Sequence, residues 1–120
     1  MELDDLIDRA ASNYPLAPAD VEAVARRMGV SVAELIDLFA RAVATRYMRG
    51  DYSIGFGDAA MTQLFHFAHV ETDLGLSRFA SQVFEAFDEG EYIHRGKPPQ
   101  EEGEARTRRL LDRIGSLKDA

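Results

Sequence analysis

Apolar residues recur at intervals of three and four along most of this chain, and no segment alternates apolar with polar residues over the length of a strand. A chain patterned in this way buries its apolar stripes by packing helices against one another. The first stripe is Leu3, Leu6, Ile7 and Ala10, with Glu2, Asp4 and Asp5 in the opening turn, where carboxylates face the positive end of the helix dipole. The second is Val21, Val24, Ala25 and Met28. The third runs from Val32 through Leu35, Ile36, Phe39, Ala42 and Val43 to Tyr47. A fourth, over 58–70, holds Ala60, Met61, Leu64, Phe65, Phe67 and Ala68, and a fifth holds Phe79, Ala80, Val83, Phe84 and Phe87.

The punctuation between these stripes agrees with helices. Pro18 suits the opening of the second, Gly29 suits the residue just past its end, and Ser31 with Glu34 forms the S-x-x-E capping box that starts the third. That third helix is predicted to run to about Met48. "RGDYSIGFGD", residues 49–58, holds three glycines with Asp and Ser and reads as a loop. "ETDLGLS" breaks the chain again, Ser77 caps the fifth helix and Gly90 stops it. Two prolines keep "EYIHRGKPPQ" irregular. From about Gln100 a sixth helix is expected, with Glu before Arg in the order the dipole favours and with Leu110, Leu111 and Ile114 apolar. The expected architecture is a single all-α domain over 1–120, a bundle of five or six helices in which the C-terminal helix, 100–117, is peripheral. Leu35, Phe39, Leu64, Phe65, Phe84 and Phe87 are the expected core.

At 120 residues the chain is long enough for one core that buries roughly two-thirds of the unfolded surface. There is no cysteine, which excludes disulfides, thiolate catalysis and Cys-based zinc sites. No apolar run approaches the ~20 residues of a membrane span. The acidic "MELDDLIDRA" is unlike a secretory signal, so the cytoplasm is the expected compartment. The formal charge is −7, and it is uneven: residues 51–100 carry eight acids and three bases, whereas 101–120 carry five of each. Such a surplus repels a phosphate backbone and suits a basic protein partner.

One stretch argues the other way. "VARRMGVSVAEL" puts Gly29 at a tight turn, apolar residues at Val24, Met28, Val30, Leu35 and Leu38, and a small residue, Ala25, where two helices would touch. Over 21–39 this resembles the bacterial helix-turn-helix family, and a helix-turn-helix-like unit is expected near residues 19–48. The resemblance implies that the second helix of the pair enters a DNA groove. Its early turns read Ser31, Val32, Ala33, Glu34, Ile36 and Asp37, which offer acids where base-reading Arg, Lys, Asn or Gln are needed. Arg26, Arg27, Arg41 and Arg46 are the cations available for phosphates. A helix pair that only packs is the expectation, with a DNA-binding regulator or accessory domain as the alternative.

Asp58, Thr62, His66 and His69 follow one another at spacings of four, four and three, which places them along one helical stripe as a possible polar site. The pattern is not H-E-x-x-H, and neither a metal nor another cofactor is expected. Thr62 one turn before His66 lacks an elbow or oxyanion hole, so no catalytic residues are assigned and the chain is not expected to be an enzyme.

The most distinctive charge is at the end of the fifth helix, where Glu85, Asp88, Glu89 and Glu91 crowd the pole that disfavours anions, beside Phe87 and Tyr92. One reading is a solvated helix end whose acids pair with Arg106 to Arg113 of the sixth helix; the other makes Glu85, Asp88, Glu89, Glu91 and Tyr92 the expected partner-binding residues. In size, charge and helicity the chain looks like immunity proteins and antitoxins that inhibit basic toxins. No motif carries that likeness.

Overall fold

The computed structural model describes residues 1–90 and 103–114. Its architecture is a helical bundle: α1 (Leu3–Ala11), α2 (Pro18–Met28), α3 (Val32–Met48), α4 (Ile54–His66), α5 (Arg78–Glu89) and α6 (Gly103–Asp112), with one π turn, Phe67–Glu71, prolonging α4. Among the described residues there is no strand.

Local chemistry explains most of the boundaries. Glu34 donates its backbone N–H to Ser31 Oγ at 3.0 Å while Ser31 donates its own to Glu34 Oε1 at 3.2 Å, so the predicted capping box closes in both directions. Ser77 Oγ accepts from the Ala80 N–H at 3.1 Å and caps α5 as expected. The first three helices stop in one manner: Asn13, Gly29 and Gly50 each take positive φ, and the following residue donates back to Arg9, Ala25 and Arg46 respectively. This closure satisfies carbonyls that would otherwise be orphaned, and it favours glycine because a Cβ strains the left-handed conformation.

The predicted 49–58 loop is shorter than its composition suggested. Ser53 Oγ accepts from the Phe56 N–H at 3.0 Å, and α4 starts at Ile54 with Gly55 and Gly57 inside it. Gly57 is there for packing. A Cβ at that position would meet the Phe87 ring at 2.4–2.6 Å, so the absence of a side chain lets α5 press that ring against the α4 backbone.

α4 is the common partner: α1 makes its most extensive contact with it, and α3 and α5 pack against it and against each other. Leu6, Ile7, Phe39, Val43, Tyr47, Met61, Leu64, Phe67, Val83, Phe87 and Leu111 fill the interior, and the Tyr47 and Phe87 rings meet edge to face at 5.2 Å. Leu35, Phe39, Leu64 and Phe87 are buried as the periodicity predicts. Phe65 and Phe84 are not: Phe65 is 39% exposed, Phe84 is half-buried, and the two rings stack on each other at 4.6 Å. Phe65 follows the inward-facing Leu64 by one residue, a turn of about 100° that carries it to the rim of the bundle.

Among the described residues α6 covers Gly103–Asp112, ending before the predicted 117, and it docks across α5 and α3. Thr107, fully buried, donates its hydroxyl to the Ala86 carbonyl at 2.7 Å, and its Oγ1 occupies the space that a Cβ on Gly90 would fill. Tyr47 donates its hydroxyl to Glu104 Oε1 at 2.8 Å beneath the Arg108 guanidinium, which lies 4.7 Å from the ring centre. Burial, together with that hydrogen bond, pushes the Tyr47 phenol above its ordinary range.

Candidate partner-binding surface

α5 divides its residues cleanly. Ala80, Val83, Ala86 and Phe87 are buried, while Gln82 and Glu85 are exposed and Asp88 and Glu89 are half-buried. α6 lies alongside, and the two helices bound an open groove of about 400 Å³ lined by Gln82, Glu85, Asp88 and Glu89 on one wall and Arg106 and Arg113 on the other. Ala86, Leu110 and Ile114 give it apolar lining. The arrangement is amphipathic, with carboxylates and guanidinium groups facing across carbon.

The predicted partner-binding residues separate into three groups. Glu89 is engaged within the molecule, accepting from Arg106 Nε at 2.9 Å, so it clasps α6 to α5. The Glu85 and Asp88 side chains form no hydrogen bond or ion pair among the described residues, and both residues line the groove. Glu91 and Tyr92 lie outside the described residues.

The polar stripe of α4 stays at the surface. Asp58 is half-buried, and Thr62, His66 and His69 are exposed. His69 stacks on Phe65 at 4.3 Å, which makes it part of an aromatic row with Phe84. Among the described residues no three His, Asp or Glu side chains converge as ligands for a metal ion.

The helix-turn-helix-like unit is present as α2, a three-residue turn at Gly29 and α3. Its apolar set is divided: Val24, Ala25 and Leu35 are buried, Val30 and Leu38 are half-buried, and Met28 is 40% exposed because it ends α2 beyond the shelter of α3. The early turns of α3 are engaged by the rest of the fold. Asp37 accepts the Ser77 hydroxyl, and Leu74, Gly75 and Ser77 face Ala33, Glu34, Ile36 and Asp37 across a crevice of about 220 Å³. Arg27 pairs with Glu2 at 2.7 Å, Arg46 pairs with Asp4 at 2.7 Å and Tyr52 at 2.8 Å, and Arg41 lies over the Phe79 ring at 4.8 Å. Hydrogen bonds to Tyr52 and Asp4 also hold the Arg46 guanidinium above its already high pKa.

The sequence reading that Arg106 to Arg113 of the sixth helix pair with the acids ending the fifth is met at Glu89, which accepts from Arg106. The Phe65–Phe84 stack was not anticipated, because it depends on pairing between helices, for which periodicity within one helix gives no signal. No protein-family model, curated protein or solved structure matches the chain significantly.

Proposed function

We propose that this protein acts by binding a basic protein through the acidic edge of the α5–α6 groove, as an inhibitor of the immunity-protein or antitoxin kind does. The observation that carries the reading is the pair of carboxylates, Glu85 and Asp88, that line the groove with no side-chain partner among the described residues, on a wall held in place by the Glu89–Arg106 clasp. Fixed carboxylates beside an apolar groove attract a cationic partner over a distance and then give it carbon to pack against. The net charge of −7 acts in the same direction.

The test is affinity capture from the source organism followed by association kinetics with the purified partner. Glu85→Lys with Asp88→Lys is the informative double substitution. Reversing Glu89 would instead repel Arg106 and loosen α6. The double variant should associate at least tenfold more slowly than wild type at low salt, with the difference shrinking as salt rises. Equal rates at low salt would overturn the reading.

DNA reading through α3 is the alternative, supported by the Gly29 turn between α2 and α3. Against it stand the acids of α3, the Ser77–Asp37 hydrogen bond and the internal partners of Arg27, Arg41 and Arg46.

A further inference from the structure

α5 and α6 run antiparallel: the Thr107 hydroxyl reaches the Ala86 carbonyl, Arg106 pairs with Glu89, and the space beside Gly90 is bounded by Gly103 and Thr107. In that register the residue seven positions before Glu89 is Gln82 and the residue seven positions after Arg106 is Arg113, each two turns, or about 10 Å, from the clasp. Both line the groove. At the clasp a carboxylate answers a guanidinium. Two turns away the α5 residue in register with Arg113 is a neutral carboxamide, so the helix pair is matched in charge at one end and unmatched at the other.

What is left unmatched has opposite sign on the two walls. Glu85 and Asp88 on the α5 wall and Arg113 on the α6 wall have no side-chain hydrogen bond or ion pair among the described residues, and Glu85 and Arg113 are exposed. Ala86, Leu110 and Ile114 give the groove its apolar lining. An occupant that complements it therefore carries cations along one edge, a carboxylate along the other and apolar side chains between. A wholly basic segment would satisfy Glu85 and Asp88 but set a like charge against Arg113, which is how a single residue rejects wrong partners. A second copy of this chain would bring a further charge of −7 and set one concave surface against another, leaving a void between them. A ridge fills a groove. A helix supplies one at the spacing that two packed helices receive, and among the described residues no strand edge is present to pair with an extended segment.

We propose that the α5–α6 groove receives a partner helix with flanks of opposite sign, Lys or Arg on the edge that meets Glu85 and Asp88, and Asp or Glu on the edge that meets Arg113. Arg113 thereby sets specificity. This rests on the protein-binding reading above and narrows the partner from a basic protein to one whose docking helix also carries acid.

The test uses the full chain and three synthetic 18-residue amidated helices that share a Leu/Ala stripe. One has Lys on one flank and Glu on the other, one has Lys on both flanks, and one has Glu on both. The mixed peptide should shift backbone amide resonances of residues 82–89 and 106–114 and bind about tenfold more tightly than either single-sign peptide. Arg113→Glu makes both walls acidic at an exposed position, where the fold is at little risk. It should reverse the order, so that the all-Lys peptide binds about tenfold more tightly than the mixed one. A residue of structural importance alone would weaken both peptides together. No groove shifts with the mixed peptide, a wild-type preference for the all-Lys peptide, the same order of affinities in wild type and Arg113→Glu, or self-association of the free protein through the groove would each overturn the proposal. The acidic-edge reading is judged apart, by the Glu85→Lys/Asp88→Lys kinetics with the captured partner. Slowed association there, with the peptide order unchanged in Arg113→Glu, would overturn the helix of opposite flanks and leave that reading standing.

Discussion

At the scale of single residues, α4 contains two glycines with opposite consequences. Gly55 has open space where a Cβ would stand, so Gly55→Ala should stabilise the fold by about 0.5–1 kcal/mol through helix propensity. Gly57 abuts the Phe87 ring, so Gly57→Ala should lose that gain and destabilise by about 1–3 kcal/mol. Urea denaturation of the two variants checks both signs in one experiment. The same method should separate two phenylalanines on α5. Phe87→Ala removes a fully buried ring and should cost about 3–5 kcal/mol, whereas Phe84→Ala at the half-buried rim should cost about 1–2. What was legible in the sequence at this scale was whatever a residue does to its own neighbours. Ser31, Glu34, Gly29 and Ser77 act within four positions, and each does what its type implies. Gly57 was misread as a turn residue because its reason for being glycine lies thirty positions away, on Phe87.

At the scale of elements, α6 is attached through several polar contacts. Thr107 in the notch at Gly90, the Arg106–Glu89 pair and the Tyr47–Glu104 hydrogen bond hold it, with Leu111 and Ile114 as its buried apolar residues. Gly90→Ala places a methyl group where Thr107 Oγ1 stands, so this change should release α6 before it unfolds the bundle. Amide exchange should quicken in 103–114 while α1 and α4 stay protected. Tyr47 adds a dependence on pH. Its phenol is held protonated in the fold, whereas the unfolded chain ionises it near pH 10, so the folded state binds the extra proton above that point. The stabilisation is complete below about pH 10 and declines as pH rises beyond it, by about 1.4 kcal/mol per unit at most. Tyr47→Phe should flatten that decline in urea titrations between pH 9 and 11. The candidate site was half legible at this scale. The carboxylates of α5 announce themselves by standing at the wrong pole of a helix, and the arginines of the sixth helix offer themselves as their partners, but which carboxylate Arg106 takes, Glu89, could not be read from spacing alone.

At the scale of the whole molecule, an excess of seven negative charges sets how it meets other polymers. Duplex DNA should bind no tighter than micromolar at physiological salt, as measured by fluorescence anisotropy with labelled duplexes. A nanomolar complex that weakens steeply with salt would instead favour the helix-turn-helix alternative. Among the described residues no helix is long and apolar enough to cross a membrane. The all-helical architecture was legible because every stripe repeats at helical spacing. The order of packing was not, since nothing in the pattern of α1 says that its main partner is α4. That pairing has a consequence during synthesis. Leu6, Ile7 and Ala10 leave the ribosome before the surface that α4 lays over them, which is translated about fifty residues later, a delay of roughly 3–10 s at ordinary elongation rates. For that interval the nascent chain carries a bare apolar stripe, and α1 is where a chaperone would be expected to hold it.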